Sequence, residues 1–405
     1  MTNAKDLLMV TVSGSDSPGI TAAFSQVFLH YGVEVADIGQ TSLQEMLGLY
    51  FLLDLSQSSG GQDSVLKELL FEANRLDLSI QFKLISKEDL GSLNQRRLIV
   101  LTHFGGTRAL AEISTILGKS GVNIESISTL HLHGARSMEM ILNVSGISSL
   151  SRLKQEIMLK SRELSVDLAI QRMEAYRKNK RLLFFDMDST LVDMEVIDEM
   201  AREAGALREV ARITERAMQG DFDFEESLRQ RVAFLKGLSL KALSRIRDRM
   251  TLSEGVEELV TTLKWLGFKL GIVTGGFDFF AQHIKERLGF DFAFANHLDM
   301  KEGMLTGRIS GPVMDAAAKA RTVNQVSCDE GILPDQIVVV GDGANDALML
   351  GQAGLGIAYN AKRALDRVAT GSLGKTHLIH ILHLLGITEE DVSEALSCKP
   401  SDTPY

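Results

Sequence analysis

The chain has 405 residues, of which 45% are hydrophobic and 24% charged, with a formal net charge of −10 at pH 7. This length predicts two or more domains, the apolar fraction excludes a disordered chain, and the acidic balance argues against nucleic-acid binding. No segment approaches the roughly 20 uninterrupted apolar residues of a membrane span, and the polar start does not predict a signal peptide. With only Cys328 and Cys398 and no metal-ligand spacing, we expect a soluble protein of the reducing cytoplasm.

The first part of the chain contains a weak internal repeat with a period of roughly ninety residues. In the first copy, residues 8–12 predict a strand and residues 15–19 a turn. An amphipathic helix then runs to about Tyr31 and ends at Gly32, a typical helix-stop residue. Residues 33–38 alternate apolar and polar side chains, which predicts a half-buried strand.

The second copy repeats this order. Residues 98–101 predict the strand, residues 105–106 the turn, residues 108–120 the helix that stops at Gly121, and residues 122–127 the alternating strand. Because element order, turn position and helix stop all match, we infer a duplication. Each copy continues with strand-like and helical segments, which gives a βαββαβ pattern.

This pattern resembles tandem ACT domains, small α+β ferredoxin-like modules that bind amino acids as regulatory effectors. The turn at residues 16–20 matches the ligand loop of that family, which implies effector contacts from Asp16 and Gly19. Asn123 lies where such domains can contact an effector, whereas residues 105–108 lack the Pro-Gly of the ligand loop. The alternative is that both modules serve only in dimerisation or packing, since fold alone does not establish function.

The domain organisation follows from these patterns. We expect one ACT-like domain at residues 1–90, a second at 91–172, a charged linker at 173–181, a larger α/β domain at 182–390 and a tail at 391–405, frayed beyond Ser397. The predicted strands of the larger domain are 182–185, 269–273, 337–340 and 355–358.

Two acidic signatures follow apolar runs of the larger domain. Asp186 and Asp188 come after the first strand, and Asp342 and Asp346 come after the third. Ligands of open α/β sheets bind beyond the carboxyl ends of the strands, so the four acids should meet at one edge. Carboxylates concentrated in this way need a cation, which predicts a Mg²⁺ site, although Mn²⁺ would suit the same oxygen ligands. The alternative for Asp186 and Asp188 is an Asx-turn pair that caps the next helix.

This arrangement suits phosphoryl transfer. An ionised Asp186 beside the metal could attack phosphorus, while Asp188 could hold a proton for the leaving alkoxide. The hydroxyl of Thr274 and the N–H groups of Gly275 and its neighbour could form a phosphate cradle, or simply a tight turn. Lys319 begins a predicted helix, where a lone lysine is usually a solvated surface residue.

Residues 181–385 resemble the haloacid dehalogenase superfamily, which implies a Rossmann-like core with a helical cap. The four motifs of the superfamily occur in order as Asp186/Asp188, Thr274, Lys319 and Asp342/Asp346. More narrowly, Asp-x-Asp-Ser-Thr, Gly-Gly-Phe-Asp, Gly-Asp-Gly-Ala-Asn-Asp and residues 224–232 resemble the phosphoserine phosphatase family. Thr274 stands where many members carry Ser, and it keeps the hydroxyl.

The resemblance implies roles for individual residues. Asp186 would become an aspartyl-phosphate, and Asp188 would protonate the leaving oxygen and then activate water. Mg²⁺ would be held by Asp186, the backbone carbonyl of Asp188 and Asp342, with Asp346 supporting a bound water. The residues close to the phosphoryl oxygens would be Thr274, Gly275, Lys319 and Asn345.

Residues from about 194 to 253 have mostly helical periodicity and predict a cap that excludes water. The resemblance implies that Glu195 binds a substrate ammonium and Arg231 its carboxylate, and that Met218 and Phe224 shield the phosphate. Without the resemblance, Glu195 would be an ordinary first-turn acid, Arg231 part of a solvated face, and Met218 and Phe224 ordinary cap core.

The leading hypothesis is a cytoplasmic Mg²⁺-dependent enzyme that hydrolyses O-phospho-L-serine to L-serine, the last step of serine biosynthesis. The ACT-like modules imply an amino-acid effector such as serine, and a homodimer. Two alternatives stay open: phosphoryl transfer to another alcohol such as homoserine, and an amino-acid-sensing regulator with a vestigial phosphatase domain. No nucleic-acid or membrane partner is expected.

Overall fold

The computed structural model forms two compact units, residues 1–95 and 96–405. No helix in the part of the chain it describes is long and apolar enough to cross a membrane. The described residues are 6–86, 98–132, 134–173, 179–218, 221–361, 365, 367–374 and 377–397.

The first unit contains one βαββαβ module, which we call the first module. Its elements are β1 (Asp6–Ser15), α1 (Ile20–Tyr31), β2 (Glu34–Leu43), β3 (Met46–Asp54), α2 (Gln62–Arg75) and β4 (Ser79–Ser86). The strands form an antiparallel sheet in the order β2-β3-β1-β4. Gly32 ends α1 in the left-handed conformation, φ 61°, which a glycine adopts without steric cost.

The second unit begins with another βαββαβ module, which we call the second module. Its elements are β5 (Leu98–His103), α3 (Thr107–Lys119), β6 (Asn123–Leu132), β7 (Ala135–Asn143), α4 (Leu150–Glu163) and β8 (Leu168–Arg172). The strand order β6-β7-β5-β8 matches that of the first module position by position. The repeat predicted from the sequence therefore corresponds to two modules of one topology.

The rest of the second unit is the C-terminal domain, residues 179–397. Its core strands are β9 (Leu182–Phe185), β10 (Lys269–Phe277), β11 (Phe292–Lys301), β12 (Met304–Ser310), β13 (Ile337–Gly341), β14 (Leu355–Tyr359) and β15 (Gly371–Leu373). The helices α5 (Val196–Glu203), α6 (Leu207–Met218), α7 (Phe224–Ala233) and α8 (Leu240–Arg249) form the cap. The remaining helices are α9 (Val256–Trp265), α10 (Asp278–Leu288), α11 (Ala316–Asp329), α12 (Ala347–Gln352), α13 (Ile381–Leu385) and α14 (Glu389–Ser397).

One sheet of eleven strands runs through the whole second unit. Its order is β12-β11-β10-β9-β13-β14-β15-β8-β5-β7-β6. The second module joins the C-terminal domain through β8, which pairs antiparallel with β15 in the registers Gly371–Ala169 and Ser372–Leu168. Strands β10, β9, β13, β14 and β15 are parallel, so their carboxyl ends share one edge.

Alternating side chains of the central strands pack into two different hydrophobic cores, because successive residues of a strand point to opposite faces. Leu183 and Phe185 lie in the core that also contains the cap and the helices α9, α10 and α14. Leu182 and Phe184 lie in a core shared with Leu101 and the rest of the second module. The first module has a core of its own, built around Phe51.

The end of the C-terminal domain differs from the prediction. The chain stays helical to Ser397 in α14, so the domain continues past the predicted boundary at residue 390. The reason is packing, since Val392 and Ala395 are only 1% exposed. Residues 398–405, which include Cys398, lie outside the described part of the chain, as does most of the predicted linker.

Candidate active site

The two acidic signatures lie side by side at one edge of the sheet. Strands β9 and β13 are parallel neighbours in which Phe185 stands beside Val340. The backbone N–H of Asp186 continues this pairing by donating to the carbonyl of Val340 at 2.9 Å. Strand β10, which contains Thr274 near its carboxyl end, flanks β9 on the other side. The carboxyl ends of three strands therefore carry the candidate residues to one place.

A buried lysine forms ion pairs with two of the acids at this edge of the sheet. The Nζ atom of Lys319 lies 2.9 Å from Oδ1 of Asp186 and 2.7 Å from Oδ1 of Asp346. Lys319 is fully buried, which contradicts the surface alternative for this residue. The nearby Asp342 completes an acidic group, because carboxylate oxygens of Asp186, Asp342 and Asp346 all lie within 4.8 Å of one another.

Burial and nearby charge raise the pKa values of two acids of this group. Burial raises the pKa of Asp342 to about 7, and repulsion from Asp186 and Asp346 adds to the rise. Burial and Asp186 also raise the pKa of Asp346, against the opposing effect of Lys319. Burial alone would lower the pKa of Lys319, but the two carboxylates raise it above its usual value. Concentrated negative charge of this kind is what a bound cation would relieve.

Asp188 differs from the other three acids in its hydrogen-bond partners. Its Oδ1 accepts from the N–H of Val196 at 2.9 Å, so the helix-capping alternative describes one of its two oxygens. Its Oδ2 lies 3.4 Å from Oγ1 of Thr274, at the centre of the site. Burial, with repulsion from Glu195 and Asp186, raises the pKa of Asp188 well above its usual value. A carboxyl group with a raised pKa can carry a proton to a reaction.

Residues 274–276 lie at the end of β10, where its register with β11 shifts, and other parts of the site approach their backbone closely. A Cβ atom at Gly276 would lie 2.5 Å from Oδ2 of Asp188, and one at Gly275 would lie 3.0 Å from the ring of Phe224. A side chain at position 276 would therefore displace the Asp188 carboxylate, and one at position 275 would press on the Phe224 ring. The hydroxyl of Thr274 accepts from the N–H of Gly276 at 2.9 Å, which fixes the turn. Phe224, the first residue of α7, therefore lies directly over the predicted phosphate loop.

Asn296 is a site residue that the sequence reasoning missed. Its side chain is fully buried in β11. The Nδ2 group donates to the carbonyls of Gly275 at 2.7 Å and Gly276 at 3.3 Å, while Oδ1 accepts from the N–H of Met314 at 2.8 Å. Asn296 thus ties the Thr274–Gly276 turn to the segment that leads into α11 and Lys319. It belongs to no motif, so only its position in a mostly apolar strand could have drawn attention.

The predicted polar cap residues surround the opening of the site. Glu195 stands at the N-cap of α5 and accepts from Oγ of Ser189 at 2.8 Å. Neighbouring protein removes enough water from its carboxyl group to raise the pKa of Glu195, and Asp186 and Asp198 add repulsion. Arg231 is half-buried in α7, and this burial lowers its pKa against the attraction of Asp198 and Glu195. Ser189 and Asp198, which no sequence pattern had marked, are thus part of the surroundings of Glu195 and Arg231.

The remaining predicted residues differ in what the structure says of them. Asn345 is half-buried in a 3₁₀ turn beside Asp346, and a Cβ atom at Gly343 would collide with its side chain. The backbone of Met218 ends α6, but its side chain lies outside the described part of the structure.

The candidate effector residues lie in different units. Asp16 is exposed in the first module and accepts from Oγ of Ser42 at 3.0 Å. Gly19 begins α1 of that module with a φ of 97°. Asn123 is exposed at the start of β6 in the second unit.

Known proteins provide a second, independent line of information. A family model of haloacid dehalogenase-like hydrolases matches residues 180–354, and an ACT domain model matches residues 6–83. A phosphoserine phosphatase of Archaeoglobus fulgidus is 45% identical over 254 residues, which cover 63% of this chain and 74% of that protein. A phosphoserine phosphatase of Mycobacterium tuberculosis is 35% identical over 399 residues, which cover 97% of this chain and 96% of that protein.

The fold has solved relatives as well. The crystal structure of a probable phosphoserine phosphatase from Vibrio cholerae in unliganded form is similar with a TM-score of 0.55 at 31% identity. The similarity covers 75% of this chain and 89% of that one. Since the Mycobacterium tuberculosis relative matches almost from end to end, this chain belongs to the phosphoserine phosphatase family of haloacid dehalogenase-like hydrolases and begins with an ACT domain.

Proposed function

We propose that the protein is a phosphoserine phosphatase that hydrolyses O-phospho-L-serine to L-serine and phosphate. The observation that carries the proposal is the convergence of Asp186, Asp342 and Asp346 around buried Lys319. Asp188, with its raised pKa, lies beside the same turn. Family membership supports this choice over a regulator with a vestigial domain, which would not need such a group.

The proposed reaction has two steps. Asp186 attacks phosphorus and the bond from phosphorus to the serine oxygen breaks, while Asp188 gives its proton to that oxygen. Asp188 then takes a proton from a water molecule, which attacks the aspartyl-phosphate at phosphorus and releases inorganic phosphate. The raised pKa of Asp188 suits the first transfer, because the acid must be protonated when the leaving oxygen needs a proton. The hydroxyl of Thr274, the N–H of Gly275 and the ammonium of Lys319 would hold the phosphoryl oxygens.

The acidic group also fits a divalent cation. Three carboxylates offer oxygens within 4.8 Å of one another, and hard oxygens are the ligands that Mg²⁺ prefers. Asp186, Asp342 and the backbone carbonyl of Asp188 would hold the ion directly, and Asp346 would orient its water. When bound, Mg²⁺ would neutralise the phosphoryl charge and lower the repulsion met by the attacking carboxylate.

The cap would select the amino-acid part of the substrate. Glu195 and Arg231 carry opposite charges at the opening, as recognition of an ammonium and a carboxylate requires. The ring of Phe224 over Gly275 would keep water from the phosphoryl group. Met218 would share this shielding role.

We also propose that the two modules regulate the enzyme. We extend the ACT assignment from the first module to the second, residues 91–172, because both have the same strand order. An amino acid such as serine would bind near Asp16 and Gly19 in the first module or near Asn123 in the second, and the modules would support a homodimer in the cytoplasm.

The central test is Asp186→Asn, which removes the nucleophile but keeps the shape of the side chain. Phosphate release from phosphoserine should be abolished, and no hydroxylamine-sensitive acyl phosphate should form on the protein. Asp248→Asn, an exposed acid of the cap, is the control and should turn over normally. Normal phosphate release by Asp186→Asn would refute the proposed chemistry.

Substrate choice is tested by Arg231→Ala against Arg229→Ala. Both arginines lie on α7, but Arg229 is exposed and paired with Glu225. Arg231→Ala should lower kcat/KM for phosphoserine by roughly tenfold or more while affecting 4-nitrophenyl phosphate much less. Equal losses on both substrates would remove Arg231 from the recognition of serine.

A further inference from the structure

A cleft of about 250 Å³ lies where the second module meets the C-terminal domain. One wall is the end of α4 and the turn after it, including Arg162, Ser165 and Asp167. The other wall is formed by the ends of β14 and β15, including Asn360 and Ser372. None of the active-site residues described above lines this cleft, so it is a separate place on the same unit.

Two oppositely charged side chains of the second module are held at the cleft by hydrogen bonds to the backbone of the C-terminal domain. The guanidinium of Arg162 donates to the carbonyl of Ala361 at 3.2 Å. The carboxylate of Asp167 accepts from the N–H of Gly374 at 2.6 Å. Both groups belong to the second module, and both are oriented by the backbone of the C-terminal domain. A guanidinium and a carboxylate on one small cleft suit a ligand that itself carries both charges.

The rest of the lining supports this ligand class. The carboxyl end of α4, Leu150–Glu163, presents the negative end of the helix dipole, which favours an ammonium group. The side chains of Ser165, Asn360 and Ser372 make no hydrogen bond to any other described residue, so they can serve a ligand or water. A volume of about 250 Å³ has room for a ligand of the size of a small amino acid.

Asn360 adds a local conformational signal. It has a φ of 45°, a left-handed conformation that is uncommon outside glycine, directly after β14. Asparagine is several-fold enriched among the residues that adopt this conformation, so the backbone here suits this side chain. Two residues earlier, Ala358 lines the cleft and pairs with Gly341, which precedes Asp342. A ligand here would touch the strand that supports the catalytic loop.

We propose that this cleft binds a small α-amino acid, with Arg162 facing the ligand carboxylate and Asp167 its ammonium group. The site is additional to the candidate effector loop of the first module. The proposal deepens the regulatory part of the proposed function, because it names a second place for an amino-acid effector. Its test measures binding, so it does not depend on phosphatase activity.

The test is equilibrium dialysis of radiolabelled L-serine, glycine and L-alanine with the full chain. Arg231→Ala is the background, so that the catalytic pocket contributes little binding. Arg162→Gln and Asn360→Gly are the cleft variants, and glycine at position 360 suits the φ of 45° and should fold. Arg152→Gln, an exposed change on the same helix, is the matched control.

We expect one class of binding sites to weaken by about tenfold or more in Arg162→Gln and to weaken in Asn360→Gly, with no change in Arg152→Gln. Ethanolamine and 3-hydroxypropionate, which each lack one charge of serine, should compete about tenfold more weakly than serine. The proposal is overturned if none of the three amino acids binds at millimolar concentration. It is equally overturned if the cleft variants bind like Arg152→Gln.

Discussion

The two βαββαβ modules share a topology, yet they relate to their surroundings in opposite ways. The equivalent last strands make the difference clear. Strand β4 ends the four-stranded sheet of the first unit, and its residues are exposed or half-buried. Strand β8 has β15 as an additional neighbour, and its first four residues are buried. The same position in the same fold is therefore an edge in one copy and an interior strand in the other.

Their cores differ in the same way. The first module closes its own core around Phe51, whose ring meets that of Phe28 edge-on at 4.8 Å between centroids. Apolar residues of the second module, including Leu101, share a core with Phe184 and Val339 of the central strands. A duplicated module can thus remain a separate unit or become part of the enzyme core, and only the second module is built into the sheet that carries the active site.

The largest expected effect comes from cutting the chain at the two module boundaries. Residues 96–405 should fold and keep phosphatase turnover, because this fragment retains the whole second unit. Residues 173–405 should melt at a clearly lower temperature or aggregate, because the cut removes β8 and exposes β15 and the shared core. Circular dichroism melting and the soluble fraction measure both results. Equal melting temperatures for the two fragments would contradict the contrast between the modules.

Single core substitutions make the same comparison in the full chain. Phe51→Ala should cost about 3–5 kcal/mol and Leu101→Ala about 2–5 kcal/mol, since both side chains are almost completely buried. Phe51→Ala should lower the melting of the first unit only and leave turnover intact. Leu101→Ala should lower the temperature at which turnover is lost. Calorimetry with residual activity after heating separates the two outcomes, and loss of activity at the same temperature in both variants would argue against separate units.

Part of this contrast could be read from the sequence. The β4 segment, Ser-Ile-Gln-Phe-Lys-Leu-Ile-Ser, alternates as a half-exposed strand does, whereas β8 opens with the continuous apolar run Leu-Ala-Ile. That run indicates an interior strand but cannot name its partner. The partner is β15, only three residues long, and short strands of this kind carry almost no local signal.

The candidate active site likewise contains residues whose place could be predicted from the sequence and residues whose place could not. Asp186 and Asp342 could be placed from sequence because each follows a buried parallel strand, and such strands end at one edge. The burial of Lys319 could not, because it depends on two carboxylates that are distant in the chain. Asn296 could not either, since its partners lie 18 to 21 residues away and form no repeated pattern.

Asn296 offers an activity test within the second unit. Asn296→Ala leaves the N–H of Met314 and the carbonyl of Gly275 without their partner, so the phosphate turn should shift. We expect kcat/KM to fall by roughly 10- to 100-fold and inhibition by inorganic phosphate to weaken. Asn324→Ala, which removes an exposed asparagine of α11, is the control.

The loss should be the same factor in the full chain and in residues 96–405, because the partners of the Asn296 side chain, Gly275, Gly276 and Met314, all lie within the second unit. A loss of thermal stability with unchanged phosphate inhibition would instead make Asn296 a purely structural residue. A different factor in the two chains would mean that the first module influences the phosphate turn.

The smallest expected effect is at Ser189, whose hydroxyl orients Glu195. Loss of one such hydrogen bond should lower kcat/KM for phosphoserine by roughly 2- to 10-fold, with less effect on 4-nitrophenyl phosphate. Because Ser189 has a φ of 57°, two substitutions separate the hydroxyl from the backbone. Ser189→Ala keeps a side chain in a conformation that disfavours it, whereas Ser189→Gly relieves that strain. Similar losses in both variants assign the effect to the hydroxyl, and recovery in Ser189→Gly would assign it to the backbone instead.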